Sequence, residues 1–181
     1  YVYISTLGNN TADELRRTLK TLLAEKPEGM ILDLRYNSGG YVDAAVDIMS
    51  EFIAEGVVLI EQEGSGKETA YEAKEGGLAT TIPLAVLVNE GTASAAEITA
   101  GAIQDYERGI LVGTTTYGKG SVQAFIPLKN DQGAVRITIA KWLTPKGRLI
   151  NEIGLTPDVE VTLTDADIEA VRHDATVGAH Q

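Results

Sequence analysis

The chain has 181 residues, a formal net charge of −11 and no cysteine, and these facts exclude several classes of protein. The acidic surplus argues against nucleic acid or an anionic membrane surface as the main partner, because both attract basic surfaces. Without cysteine the chain forms no disulfide, thiol nucleophile or thiolate metal site. No apolar run approaches the roughly 20 residues of a membrane-spanning helix, so a membrane span is not expected.

Strands and helices are predicted to alternate along the first half of the chain, and strands dominate the second half. Strands are expected at residues 1–5, 30–35, 57–62, 82–89, 110–112, 122–128 and 134–142. Helices are expected from residue 11 to before Pro27, where Thr11 to Glu14 reads as a capping box, and over 42–52 and 94–105. The pattern predicts a single α/β core with a mostly parallel sheet, packed helices and additional antiparallel strands.

One lysine in the second half, Lys119, has a glycine on each side. The stretch from Gly113 to Lys119 matches the first seven positions of a nucleotide-binding P-loop. The match then fails, because Gly120 stands where a hydroxyl residue should bind Mg²⁺ and the following residues predict a strand. A P-loop must open a helix, whose N-terminus binds the phosphates. Two interpretations of Lys119 remain, a solvated lysine in a glycine-rich turn and a buried general base, since burial disfavours the charged form of lysine.

A general base needs a nucleophile, and Ser94 is the best candidate for one. It follows a strongly apolar strand and a short turn, and it stands at the predicted start of a helix. Backbone N–H groups and the helix dipole favour negative charge at such a point. The alternative is that Ser94 or Thr92 only caps the helix. The two histidines, His173 and His180, lie in the polar C-terminal segment, which argues against a Ser–His–Asp triad.

A third stretch, D-L-R-Y-N-S-G-G from Asp33 to Gly40, places two glycines between a predicted strand and a predicted helix. A turn of this kind can direct backbone N–H groups at an oxyanion. It is equally compatible with an ordinary strand-to-helix connection.

These stretches, in this order, resemble the motifs of the C-terminal processing proteases, also called tail-specific proteases. The chain reads D-L-R-Y-N-S-G-G, then T-A-S-A-A-E-I-T-A-G-A-I-Q-D, then G-T-T-T-Y-G-K-G-S-V-Q. The ending G-L-T-P-D-V-E-V, residues 154–161, also resembles the family pattern. The resemblance covers about residues 1–164 and implies a fold related to the crotonases and the Clp protease.

The resemblance implies a role for each matching residue. Ser94 would be the nucleophile, Lys119 the general base, and Gln123 would orient the lysine by hydrogen bonding. The Ala95 N–H would form the oxyanion hole together with an N–H of Gly39 or Gly40, and the motifs do not decide between the two glycines. The implied reaction is endopeptidase cleavage near protein C-termini through an acyl-enzyme, without a metal or cofactor.

The resemblance also sets expectations for the whole protein. Residues 1–164 would be the protease core, and residues 165–181 a polar segment with a short helix followed by disorder. The substrates would be proteins or peptides with unstructured C-terminal tails, in the periplasm, cell envelope or thylakoid lumen. Family members usually carry a PDZ domain before this core, and no PDZ domain is expected within this sequence. A PDZ domain or adaptor in the full-length protein and the oligomeric state stay open.

Three departures from the family pattern lie outside the expected catalytic positions. Ser38 replaces the usual proline, Ala96 a common serine and Tyr117 a common phenylalanine. One alternative of another class is a catalytically idle ligand-binding module of the same fold, such as the retinoid-binding proteins that resemble this family. Another alternative is an acyl-CoA enzyme of crotonase type, which rests on fold analogy alone.

Overall fold

Two β-sheets and three helices make up the computed structural model, which describes residues 1–129, 132–162, 164 and 167. In chain order the elements are β1 (Val2–Tyr3), α1 (Thr11–Ala24), β2 (Met30–Asp33), α2 (Val42–Met49), β3 (Val57–Glu63), β4 (Glu68–Glu72), β5 (Leu84–Val88), α3 (Ala95–Asp105), β6 (Ile110–Gly113), β7 (Ser121–Pro127), β8 (Ala134–Leu143) and β9 (Val159–Glu160).

The main sheet consists of five parallel strands in the order β1-β2-β5-β6-β9. Side chains at alternate positions of the central strands, such as Leu32, Val86 and Leu111, are fully buried in the core. Helix α3 carries mostly small and aliphatic side chains, and nearly all of them are buried. The carboxyl ends of β2 and β5 therefore lie beside each other, and the turns that follow them meet at the same edge of the sheet.

The second sheet is antiparallel, with the strand order β4-β3-β8-β7. It contains the hairpin of β3 with β4 and the hairpin of β7 with β8, whose strands the sequence predicts at residues 122–128 and 134–142. Strand β7 lies at an edge of this sheet and begins two residues after Lys119. The predicted α/β class, with a parallel core and antiparallel additions, is confirmed.

Two local features differ from the predictions. Thr11 does not cap α1, because the N-cap is Asn10; the Thr11 hydroxyl instead accepts the Gly8 N–H and donates to the Thr6 carbonyl oxygen. The two-residue strand β9 was not predicted, and it pairs with β6 through Val112 and Val159.

The predicted C-terminal segment, residues 165–181, lies outside the described residues apart from Asp167. No helix in the described ranges is both long enough and apolar enough to cross a membrane.

Candidate active site

Ser94 lies in the connection from β5 to α3 and occupies the N-cap position of α3. Its backbone has φ 57° and ψ −123°, a conformation that L-residues other than glycine rarely adopt. A residue held in such a conformation costs about 1–3 kcal/mol and persists only where the surroundings enforce it. An ordinary helix cap has extended backbone, so capping does not account for this strain.

Replacing Ser94 with glycine should measure the strain directly. Compared with Ser94→Ala, Ser94→Gly should raise the free energy of unfolding by about 1 kcal/mol, because relief of the strained backbone exceeds the extra chain entropy of glycine. Urea denaturation of both variants gives the difference. A Ser94→Gly variant less stable than Ser94→Ala would show that the backbone at residue 94 is not strained.

The turn that follows β2 is fixed by the buried carboxylate of Asp33. This carboxylate accepts hydrogen bonds from the Arg35 backbone N–H at 3.0 Å, the Arg35 guanidinium at 2.7 Å and the Tyr1 hydroxyl at 2.6 Å. Burial acts to raise the pKa of Asp33, but the hydrogen bonds from Arg35 and Tyr1 outweigh it and hold the pKa below its usual value. Asp33 therefore folds as a carboxylate and fixes the start of the D-L-R-Y-N-S-G-G turn.

The lowered pKa of Asp33 predicts a pH dependence of stability. A carboxyl with a depressed folded-state pKa stabilises the fold above its unfolded-state value near 3.9, and this contribution disappears as pH falls through the folded-state pKa. Asp33→Asn should lower the unfolding free energy by about 2 kcal/mol at pH 7, with the deficit shrinking below about pH 4. Urea denaturation at pH 7, 5, 4 and 3 measures this loss of unfolding free energy, and Glu28→Gln on an exposed turn is the control. A loss that does not depend on pH would contradict the lowered pKa of Asp33.

Of the two glycines of this turn, Gly39 faces the Ser94 turn, and Gly40 packs against the backbone of Leu7. A Cβ atom on Gly39 would lie 2.8 Å from the Ala95 nitrogen and 2.8 Å from the Ser94 Cβ, so only glycine fits there. The Gly39 N–H donates to Asn37 Oδ1 at 2.9 Å. The Gly40 N–H, by contrast, donates no hydrogen bond within the part of the chain that the structure describes.

Lys119 is half-buried, and hydrogen bonds fix its backbone on both sides. Its N–H donates to Glu97 Oε2 at 2.9 Å, and its carbonyl oxygen accepts the indole N–H of Trp142 at 3.0 Å. The flanking glycines are required by the turn of residues 150–154, which packs against them. A Cβ atom would lie 2.8 Å from the nearest backbone nitrogen at either Gly118 or Gly120. Because both neighbours of Lys119 are glycine, residues 150–154 can pack directly against the backbone there and fix the position of Lys119.

A single buried carboxylate, that of Glu97, joins the serine and lysine segments. Its Oε2 accepts the N–H of Ser94 at 2.8 Å as well as that of Lys119. Because both bonds end on one oxygen, the two backbone nitrogens lie less than about 6 Å apart. Two residues separated by 25 positions in the sequence are thus brought together.

Glu97 is a site residue that the sequence reasoning missed. The signal was present, because Ser94-Ala-Ala-Glu97 is the S-x-x-E pattern of a capping box. That pattern predicts the bond from Glu97 to the Ser94 N–H. It carries no information about the donors from the lysine segment.

Main-chain hydrogen bonds also join all three motif segments. The Ala93 N–H donates to the Asn37 carbonyl oxygen at 2.9 Å, which links the serine turn to the glycine turn. The Tyr117 N–H donates to the Thr92 carbonyl oxygen at 3.0 Å, which links the lysine segment to the serine turn. The motifs therefore form one contiguous site at the carboxyl edge of the parallel sheet.

The side chains of the three candidate catalytic residues are not hydrogen-bonded to one another. No hydrogen bond joins the Ser94 hydroxyl to the Lys119 amine among the described residues, and none joins Lys119 to Gln123. Gln123 lies in β7, four residues after Lys119, and the pairing of β7 with β8 shifts register between Val122 and Gln123. The Gln123 Oε1 atom is buried and has no hydrogen-bond partner in the described ranges, which leaves an acceptor in β7.

The fold and the site together define the class of an α/β peptidase domain of serine type. The family model described as peptidase family S41 matches residues 1–161. The chain therefore belongs to peptidase family S41, and the expectation of a serine-type peptidase related to the C-terminal processing proteases is confirmed at the level of the family.

Similar proteins agree with this assignment. A carboxy-terminal-processing protease of Bartonella bacilliformis is 38% identical over 166 residues, which cover 89% of this chain and 38% of that protein. A chloroplastic C-terminal processing peptidase of Tetradesmus obliquus is 35% identical over 173 residues, which cover 94% of this chain and 37% of that protein. The solved structure of a photosystem II D1 C-terminal processing protease matches with a TM-score of 0.84 at 34% identity, covering 94% of this chain and 45% of that chain. The chain thus spans less than half of the length of each of these proteins.

Proposed function

We propose that residues 1–164 form the catalytic core of a serine endopeptidase that cleaves proteins near their C-termini. The observation that carries this proposal is the shared carboxylate oxygen of Glu97, which holds the backbones of Ser94 and Lys119 side by side. The strained backbone of Ser94 and the close approach of Gly39 support the same assignment.

In the proposed mechanism, Ser94 is the nucleophile and Lys119 the general base. Neutral Lys119 accepts the hydroxyl proton as the Ser94 oxygen attacks the scissile carbonyl carbon. The tetrahedral intermediate collapses to an acyl-enzyme and the protonated lysine delivers its proton to the leaving amine. Water activated by Lys119 then releases the acyl group from Ser94 and restores the enzyme.

The proposed oxyanion hole combines the N–H groups of Ala95 and Gly40. Ala95 opens α3, so its N–H lies among the groups that have no acceptor within the helix. Gly39 is the weaker second candidate because its N–H already donates to Asn37, whereas the Gly40 N–H remains available to a substrate oxygen. These donors would stabilise the charge that develops on the carbonyl oxygen.

Gln123 is proposed to orient the lysine. Its Oε1 is buried and has no partner among the described residues, so it can accept a hydrogen bond from the Lys119 amine. Such a bond, donated by one N–H of the amine, would direct the lone pair of the amine toward the Ser94 hydroxyl.

The proposed substrates are unstructured protein tails with small or apolar ends. An extended tail can add a strand to an exposed sheet edge, and β7 presents such an edge two residues after Lys119. We place the protein outside the cytoplasm, in a cell envelope or a lumen, in keeping with relatives that are bacterial or named chloroplastic. Capture of the tail by a PDZ domain or adaptor in the full-length protein belongs to the same proposal.

Product mapping tests this function. The purified chain is incubated with a disordered peptide that ends in alanine and valine, and mass spectrometry identifies the fragments. A peptide with the same body and an acidic end serves as the comparison. We expect internal cleavage close to the apolar terminus. No cleavage, combined with tight binding of an apolar ligand, would favour the idle binding module instead.

A further inference from the structure

We propose that Glu97 is the positioning residue of the site, and that its ionised carboxylate sets the placement of Ser94 relative to Lys119. This inference rests on the proposed function for its kinetic consequences, while its structural part stands independently. Glu97 lies in the first turn of α3, and its side chain is completely buried. It belongs to none of the catalytic roles assigned above.

The carboxylate is surrounded by four hydrogen-bond donors and by no cation among the described residues. Oε1 accepts the Thr116 hydroxyl at 2.5 Å and the Gly118 N–H at 2.8 Å. Oε2 accepts the N–H groups of Ser94 at 2.8 Å and Lys119 at 2.9 Å. An ionised carboxylate offers about four acceptor sites, so each of them has a donor here.

The arrangement selects for a charged, acceptor-only side chain. Four donors and the N-terminus of α3 stabilise negative charge without a neighbouring cation. A neutral amide cannot replace it, because two of its positions carry N–H groups that would face the N–H donors of the protein. Glu97 therefore acts as an anchor that only an anion of this length can provide.

The donors come from the two segments whose separation governs proton transfer. Ser94 supplies one donor, and residues 116–119 supply the other three. The bond to the Ser94 N–H also helps to hold the strained backbone at φ 57°. Loss of the anchor would let the serine turn relax and move the hydroxyl away from the lysine, and a misplacement of about 1 Å can reduce a rate by about 100-fold.

Glu97→Gln is the direct test, with steady-state kinetics and amide hydrogen exchange as two readouts. We expect kcat to fall by about 100-fold while KM changes by less than about threefold, because the anchor aligns reacting groups and does not contact the substrate. Exchange at the amides of Ser94, Gly118 and Lys119 should accelerate by about tenfold or more, and distant amides should keep their protection.

Glu51→Gln is the matched control, since Glu51 is a similarly buried carboxylate that accepts the Leu78 N–H and pairs with Arg16. It should lower stability and leave kcat per folded molecule unchanged. Two milder variants cover the case in which Glu97→Gln does not fold. Thr116→Val removes one donor and should reduce kcat by about tenfold, whereas Thr116→Ser keeps the hydroxyl and should restore most of it.

Each outcome bears on a separate claim. Wild-type kcat in folded Glu97→Gln, or equal losses in Glu97→Gln and Glu51→Gln, would overturn the positioning role. Unchanged exchange at Ser94 and Lys119 would overturn the anchoring geometry. If the wild-type chain cleaves nothing, the proposed function fails, and the exchange experiment still decides whether Glu97 anchors the two segments.

Discussion

Ser94→Ala should reduce peptide cleavage by about 10³-fold or more and leave the fold intact. The oxygen removed is the proposed nucleophile, and the methyl group of alanine cannot form an acyl intermediate in its place. The half-buried hydroxyl contributes little to packing, so the free energy of unfolding should change by less than about 1 kcal/mol. Initial cleavage rates, together with urea denaturation of the same preparations, separate the catalytic effect from any loss of structure.

Ser65→Ala provides the control for this prediction. Ser65 lies in the exposed turn of the β3–β4 hairpin, where its hydroxyl donates to Glu63. Its loss should leave the cleavage rate unchanged within about twofold. Cleavage by Ser94→Ala at a rate near that of the wild type would mean that another group performs the reaction and that Ser94 serves as a helix cap.

Lys119→Met should reduce cleavage by about 10²–10⁴-fold, the range associated with loss of a positioned general base. Methionine keeps much of the apolar length of lysine and lacks the amine, so packing in the segment is largely preserved. Lys119→Arg should be equally inactive, because arginine keeps the positive charge and does not give up its proton. The two variants together distinguish a base from a group that only supplies charge.

Lys20→Met on the exposed face of α1 is the matched control and should retain full activity. Substantial activity in Lys119→Arg would show that Lys119 is not the general base. The positive charge of the side chain would then be what the reaction requires.

Much of the architecture follows from local sequence signals. The apolar stretch before Asn89 predicts a buried strand, and Leu84–Val88 is a central strand of the parallel sheet. The start of a helix at Ser94 was also predicted, because a small polar residue precedes a run of helix-forming residues. Strand β9 was not predicted, because two residues are too few to show the alternation of apolar and polar residues that indicates a strand.

The site was harder to predict from the sequence than the fold, because its contacts join residues that are far apart in the sequence. The sequence shows a glycine on each side of Lys119, yet nothing local identifies the turn of residues 150–154 as the segment that packs against them. The S-x-x-E pattern could have predicted the bond between the Glu97 carboxylate and the Ser94 N–H, but the second set of donors comes from 19 to 22 positions further along the chain. The proposed preference for Gly40 over Gly39 rests on the Asn37 side chain, which accepts the Gly39 N–H. Asparagine commonly bonds the N–H two residues further on, so this local contact could have been predicted.

The central claim is that Ser94 becomes acylated with the help of Lys119, and a trapping experiment tests it most directly. The chain is mixed with a p-nitrophenyl ester, which requires no tail-capture domain, then quenched in acid and mapped by peptide mass spectrometry. We expect an acyl group on Ser94 of the wild-type chain, none at that position in Ser94→Ala, and acylation slowed by about 100-fold or more in Lys119→Met. Acylation at another residue, or acylation of Ser94 at an equal rate in Lys119→Met, would rule out the proposed pair of nucleophile and base.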